Sequence, residues 1–200
     1  MYSFTFIQAL QHAEGKGFLK SKDCYEFGRP LLNMDLLGYF KSYFPDLPPV
    51  RDCEDLWKEL GCKSYNNEST NTDKRKKYDL VISTNSFDEL GDPFSHLQDM
   101  WNQLKVDGAM ILDLPASQSS CTVSFGVNFI YTLRKFNNID IPYCKLSDKT
   151  GQFGVSPDVS DYYTTSKIND QLLFKFKDTK QLRLTVTLKR KEAKELRFND

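Results

Sequence analysis

Apolar residues occur in short runs that alternate with helical patterns, most clearly in the middle of the chain. The runs YDLVIS (Tyr78–Ser83) and AMILDL (Ala109–Leu114) read as strands that are largely apolar. Between them lies an amphipathic helix with Asp92 as its predicted N-cap and Pro93 as its first residue. Strands that are apolar on both faces are typical of a parallel sheet covered by helices on both sides. The pattern therefore predicts an α/β protein with three layers.

The same periodicity predicts elements on both sides of this central unit. The segment Phe4–His12 fits either a short helix or the start of a strand, and the entirely polar Asn66–Lys77 is a predicted loop. The other predicted elements are a strand Asp23–Phe27, helices Met34–Phe44 and Cys53–Leu60, a brief strand Lys63–Tyr65, a helix Asn128–Phe136 and a strand Ile139–Leu146.

Two predictions concern the edges of the sheet. The alternating segments Leu172–Lys177 and Leu182–Lys189 predict an antiparallel hairpin at one edge. Charges there would discourage another chain from pairing; they are Lys175, Lys177, Arg183 and Lys189. The strand Lys63–Tyr65 is expected at the other edge, where any partner would dock, with Trp57 as an exposed anchor.

Composition narrows the class of protein. The chain has 200 residues, 40% of them hydrophobic, which predicts one domain over residues 1–200. With 27 basic and 27 acidic residues the net charge is zero, so a nucleic-acid partner is not expected.

The five cysteines show no CxxC spacing and the two histidines no ligand spacing, which argues against a metal site. The start MYSFTFIQAL resembles no signal peptide and no run is long enough to span a membrane, so we expect a cytoplasmic protein.

Three stretches of the chain resemble one enzyme family. The run KYDLVISTNSFDELGDPFSHLQDMWNQLKVDGAMILDLPA resembles the strand-four to strand-five unit of class I S-adenosylmethionine (SAM) dependent methyltransferases. Upstream, CYEFGRP is similar to the first strand and turn of a bacterial and phage subgroup with a reduced glycine motif. Downstream, SFGVNFIYTLRKFN resembles the loop and helix behind strand five. The resemblance implies a Rossmann-like methyltransferase fold with SAM as its cofactor.

The resemblance also implies where SAM and its substrate would lie. Nucleoside cofactors bind at the carboxyl ends of parallel strands, where the strand order reverses. The implied catalytic residues, in the turn after strand four, are Asp88 and Glu89, of which one would act as a general base. The implied cofactor-binding residues are Phe27, Gly28, Arg29, Asn66, Asn67, Thr84, Asn85 and Ser86.

Each of these assignments has a plainer alternative. Asp88 and Glu89 also fit a solvated turn before a helix N-terminus, and Arg29 also fits an ion pair with Glu26 or Asp23. His96 is expected only as a residue on a helix face.

Several family features are reduced in this chain. One glycine stands where three are usual, amides replace the acidic residue that ends strand two, and the loop before Tyr78 is too short for a third strand and helix. Two hypotheses follow. The chain is a SAM-dependent methyltransferase acting on a small molecule or glycan, or it is a catalytically inactive methyltransferase-like domain that serves a protein partner as a structural or interaction subunit.

Overall fold

The computed structural model describes residues 3–28, 34–67, 75–84, 86–87, 91–118, 124–148, 154–157 and 181–198. Its helices are α1 (Phe4–Gly15), α2 (Met34–Tyr43), α3 (Cys53–Glu59), α4 (Pro93–Gln103) and α5 (Val127–Phe136). Its strands are β1 (Asp23–Phe27), β2 (Ser64–Asn67), β3 (Tyr78–Thr84), β4 (Leu104–Gln118), β5 (Ile139–Asp148), β6 (Gly154–Val155) and β7 (Gln181–Arg190).

These strands form one mixed sheet in the order β2-β1-β3-β4-β7-β5-β6. The pairs β1/β2, β1/β3 and β3/β4 are parallel. Strand β7 is antiparallel to both of its neighbours, β4 and β5, and β6 is antiparallel to β5. A mostly parallel sheet with antiparallel pairing in the C-terminal part of the chain agrees with the predicted fold class, so the Rossmann-like methyltransferase fold is confirmed.

Helices cover both faces of the sheet, which gives the three predicted layers. On one face α1, α2 and α3 pack against strand residues such as Leu80, Ile82 and Ile111. On the other face α4 and α5 pack against strand residues such as Val81 and Leu112. The strands are therefore buried on both sides, as their apolar composition indicates.

Side-chain caps fix where α1, α3 and α4 begin. Asp92 accepts a hydrogen bond from the Ser95 amide at 3.0 Å with Pro93 following it, so the predicted start of α4 is confirmed. Ser3 caps α1 in the same way by accepting a bond from the Phe6 amide. The open choice for Phe4–His12 is thereby decided in favour of a helix.

The two predictions about the edges have different outcomes. Strand β2 is the first strand in the sheet order, so the described part of the chain confirms the edge expected near Lys63–Tyr65. The segment Leu182–Lys189 forms the predicted antiparallel strand, but its predicted position at an edge is wrong, because β7 lies inside the sheet between β4 and β5. The other half of the predicted hairpin, Leu172–Lys177, lies outside the described residues.

A buried ion pair explains why Arg183 of β7 does not mark an edge of the sheet. Arg183 is only 3% exposed and its Nε donates to Asp113 Oδ1 of β4 at 3.3 Å. A second guanidinium nitrogen donates to the Asp113 carbonyl oxygen at 2.7 Å. The arginine therefore joins two neighbouring strands instead of protecting an edge.

Trp57 is likewise not the exposed anchor that was expected. Its side chain is fully buried between α3 and the sheet. The indole N–H donates to the Glu26 carboxylate of β1, which draws the ring inward. Among the described residues, no helix is both long and apolar enough to cross a membrane.

The buried ion pair predicts a large effect for one substitution. Arg183→Ala would leave the Asp113 carboxylate buried without its cation, and breaking such a pair costs about 3–5 kcal/mol. We expect the free energy of unfolding, measured by urea denaturation, to fall by about that amount.

Arg51→Ala is the matched control. Arg51 also pairs with an aspartate, Asp55 at 2.7 Å, but its side chain is 85% exposed. Its removal should leave the free energy of unfolding almost unchanged. If the two variants lost the same stability, the account of the buried pair would be wrong.

Candidate functional site

The strand order reverses between β1 and β3. From β1 the chain goes to β2 on one side and then to β3 on the other side of β1. Ligands of open α/β sheets bind in the crevice outside the carboxyl ends of the strands at such a reversal. The residues at these ends therefore form the candidate site.

A fully buried carboxylate, Glu26, lies near the carboxyl end of β1. Three side chains donate to it: the Thr84 hydroxyl to Oε1 at 2.7 Å, and the Tyr65 hydroxyl and Trp57 indole to Oε2 at 2.8 and 3.3 Å. The donors come from β3, β2 and α3, so one carboxylate fastens three elements to the end of β1. We call these four residues the Glu26 cluster.

The Glu26 cluster also determines the state of Tyr65. Burial, reinforced by the negative charge of Glu26, raises the pKa of the Tyr65 hydroxyl far above its ordinary value. The phenol therefore remains protonated and acts as a donor to the carboxylate. Its ring stacks on Trp57 with an interplanar angle of 9°.

Gly28 follows the cluster, and the structure shows a steric reason for a glycine at this position. Its φ is +100°, and a Cβ there would lie 2.7 Å from the Thr84 carbonyl oxygen and 3.3 Å from Ser86 Cβ. A side chain at this position would thus collide with the turn after β3. The contact seen is thus between Gly28 and the turn after β3, and the cofactor-binding role implied for Gly28 stays a prediction.

On the other face of the sheet, His96 joins the site. Its Nε2 lies 3.1 Å from Ser86 Oγ, which in turn is hydrogen-bonded to Ser83 Oγ. The imidazole packs edge-on against the rings of Phe27 and Phe87. His96 is therefore more than the helix-face residue that was expected: it supports the turn after β3.

Asp113 of β4 extends the site along the sheet. It is fully buried and is the register partner of Thr84. Oδ1 accepts from Arg183 at 3.3 Å and from the Thr185 hydroxyl at 3.1 Å, while the buried Oδ2 has no hydrogen-bond donor among the described residues. One carboxylate oxygen beside the crevice is thus still able to accept a hydrogen bond.

Sequence reasoning missed Glu26 and Asp113 as site residues, although both leave a signal. Each is a carboxylate inside an otherwise apolar strand, in CYEF and in AMILDL. Buried charges are rarely present without a partner, so an acidic residue near the carboxyl end of a parallel strand indicates a polar site.

The structure places part of the predicted site together. Gly28, Thr84 and Ser86 meet where β1 and β3 end. Asn66 and Asn67 end β2, where Asn67 is the register partner of Glu26 and its side chain is hydrogen-bonded to Tyr65. Phe27 is buried toward α4 against His96.

The four remaining candidates lie outside the described residues: Arg29, Asn85, Asp88 and Glu89. Within the described residues, no group of side chains has the make-up of a metal site.

Comparisons with known proteins show similarity in fold only. No family model and no curated protein matches this sequence. The plantazolicin methyltransferase BpumL, solved with S-adenosylhomocysteine (SAH), is 14% identical with a TM-score of 0.45, covering 94% of this chain and 85% of its own. A protein from Galdieria sulphuraria, provisionally named a sarcosine dimethylglycine methyltransferase, is 12% identical with a TM-score of 0.48, covering 94% and 86%. A SAM-dependent methyltransferase from Geobacter sulfurreducens, solved with SAH, is 9% identical with a TM-score of 0.42, covering 93% and 90%.

The close contact at Gly28 predicts that adding a single methyl group there destabilises the folded protein. Gly28→Ala places a Cβ against the Thr84 carbonyl oxygen and forces a non-glycine residue to positive φ. Strain of that kind costs about 1–3 kcal/mol. We expect the free energy of unfolding in urea to fall by about that amount.

Gly15→Ala controls for the loss of a glycine as such. A Cβ at Gly15 meets nothing within 4 Å and its φ is not positive. The control should be neutral or slightly stabilising. Equal stability of the two variants would contradict the close approach of the β1 and β3 turns.

The burial of His96 predicts how it titrates. Burial lowers the pKa of the His96 imidazole below its ordinary 6.5, with Asp99 acting in the opposite direction. The unfolded chain then takes up the proton more readily than the folded protein, so this histidine makes stability fall as the pH drops below about 6.5. Above the ordinary pKa its contribution is fully present.

Proton NMR can read this pKa directly, because the chain has only two histidines. A His12→Gln variant leaves one imidazole signal, that of His96, to follow through the titration. We expect a midpoint below 6.5. A midpoint at or above that value would show that His96 is solvated and does not support the turn after β3.

Proposed function

We propose that this protein is a SAM-dependent methyltransferase that binds its cofactor at the crevice between β1 and β3. The observation that carries the proposal is the bend at Gly28, which lies at the reversal of the strand order two residues after the buried Glu26 carboxylate. In α/β sheets this is the position at which nucleoside cofactors bind.

The polar groups at the strand ends are of the types that a nucleoside cofactor needs. In this proposal Asn66 and Asn67 accept hydrogen bonds from the ribose hydroxyls through their amide oxygens. The backbone around Gly28 approaches the methionine part of SAM, and Thr84 and Ser86 line the opposite wall. SAM, when bound, supplies an activated methyl group for transfer to a nucleophilic atom of the substrate.

We further propose that carboxylates beside the crevice receive the proton that leaves the methyl acceptor. Asp113 of β4 is the register partner of Thr84 of β3, and in the described part of the chain its buried Oδ2 meets no donor. Arg183 and Thr185 bind its other oxygen, which fixes the orientation of the group. Asp88 and Glu89 are proposed for the same task on sequence grounds. The acceptor is proposed to be a small molecule or a glycan, in the cytoplasm.

One observation favours a second candidate function, that of an inactive methyltransferase-like subunit. Three protein donors already bind the Glu26 carboxylate, and the stacked rings of Trp57 and Tyr65 lie beside it. A site that is satisfied by its own side chains has less need of a ligand. In this role β2, the first strand of the described sheet, would meet a protein partner.

Titration calorimetry with SAH separates the two candidates. We expect saturable binding to the folded wild-type protein. Thr84→Val should weaken it by about tenfold or more, because the Glu26 cluster loses a charge-assisted hydrogen bond at the crevice.

Thr187→Val is the matched control. Thr187 is also a fully buried strand threonine, but it lies on β7 and its hydroxyl has no hydrogen-bond partner within the residues that the structure describes. SAH affinity should be unchanged in this variant. Absence of binding to folded wild-type protein at millimolar SAH would rule out the methyltransferase proposal and favour the inactive subunit.

A further inference from the structure

Two cysteine sulfur atoms lie unusually close together inside the protein. Cys24 is in β1 and Cys62 lies two residues before β2. Both side chains are buried, with exposures of 0% and 7%. Their Sγ atoms are 2.7 Å apart.

The distance between the two Sγ atoms is longer than a disulfide bond but shorter than a van der Waals contact. Unbonded carbon atoms, which are smaller than sulfur, reach their best contact at about 3.5–4.0 Å. The sulfur atoms of a disulfide are about 2.05 Å apart. The two thiols therefore lie closer than packing alone favours, and a bond between them requires only a small further approach.

The backbone independently holds the two segments together. The Lys63 amide donates to the Lys22 carbonyl oxygen at 2.8 Å, and the Ser21 amide donates to the Gly61 carbonyl oxygen at 2.7 Å. Ser21 and Gly61 both have positive φ, at 58° and 93°. Two tight turns thus place the start of β1 beside the approach to β2 whether or not the sulfur atoms are joined.

We propose that Cys24 and Cys62 form a reversible disulfide bond, which makes this pair an oxidative modification site of the protein. With oxidised glutathione as the oxidant, one cysteine thiolate attacks its disulfide and releases one glutathione thiol. The second cysteine then displaces the second glutathione thiol, so the two cysteines lose two protons and two electrons and the glutathione disulfide gains them.

The order of attack follows from exposure. Cys62 is the more exposed of the two, so it meets the oxidant first. The adjacent Cys62 sulfur, together with burial, raises the pKa of the Cys24 thiol well above its ordinary value. Cys24 therefore remains a thiol until its neighbour carries a leaving group, and it resolves the mixed disulfide.

The bond would affect the edge of the sheet that carries part of the candidate site. Strand β2 is short, pairs with β1 and carries Tyr65 of the Glu26 cluster. A bridge between Cys24 and Cys62 would fix the entry to β2 against β1. The pair lies near the amino ends of these strands, away from the crevice, so the bridge tightens the strand without touching the site.

Peptide mapping tests the proposal on the wild-type protein. Trypsin places each of the five cysteines in its own peptide, with Cys24 in 23–41 and Cys62 in 59–63. Folded protein is treated with oxidised glutathione, the remaining thiols are capped in denaturant, and the digest is analysed by mass spectrometry. We expect peptides 23–41 and 59–63 to be joined, and Cys53, Cys121 and Cys144 to stay capped.

Three controls show whether the fold selects the pair. Cys144→Ala removes another buried cysteine and should leave the bridge intact, whereas Cys62→Ala should leave Cys24 capped. Oxidation in denaturant should lose the preference for this pair. Capping of both Cys24 and Cys62 after oxidation of the folded protein, or bridges to other cysteines in equal yield, would overturn the proposal.

A second measurement follows the consequence for β2. In wild-type protein, hydrogen exchange at the amides of residues 64–67 should slow on oxidation and return to its initial rate on reduction. Unchanged exchange in a protein shown to carry the bridge would overturn its proposed effect on the sheet edge.

Discussion

The buried carboxylate of Glu26 is the constraint on which the arrangement of the candidate site depends. A charge taken out of water costs several kcal/mol unless hydrogen-bond donors replace its solvent. Here the donors are Trp57, Tyr65 and Thr84, which come from a helix and from the strands on either side of β1. Satisfying one side chain therefore requires α3, β2 and β3 to meet at the carboxyl end of β1. That requirement helps to hold β2, which has only four residues, at the edge of the sheet.

Thr84 connects the Glu26 cluster to the next strand of the sheet, β4. Its hydroxyl binds Glu26, its carbonyl oxygen lies where a side chain at Gly28 would be, and Asp113 is its neighbour on β4. Asp113 in turn binds Arg183 of β7. A parallel sheet brings the carboxyl ends of its strands together. Glu26, Thr84 and Asp113, which are distant in sequence, therefore form one continuous row across β1, β3 and β4. The row lies at the reversal of the strand order, which is where the proposed function needs polar groups.

The sequence predicted those parts of the fold that depend on local pattern. The strand Tyr78–Thr84 and the helix that follows Asp92 are set by apolar runs and a capping residue, and both are present. The prediction failed where the partner of a side chain is distant in sequence. Arg183 reads as an edge charge until Asp113 is seen beside it, and Trp57 reads as an exposed anchor until its indole is seen donating to Glu26. Of the candidate site, the positions of Gly28, Thr84 and Ser86 at the strand ends followed from the pattern. The Glu26 cluster did not, because nothing local shows that three donors converge on one carboxylate.

A crystal structure of the protein grown with saturating SAH would show whether the crevice between β1 and β3 holds the cofactor. We expect SAH there, with its methionine part over Gly28 and its ribose hydroxyls within hydrogen-bonding distance of Asn66 or Asn67. A crevice without SAH, or SAH bound elsewhere on the molecule, would contradict the proposed site.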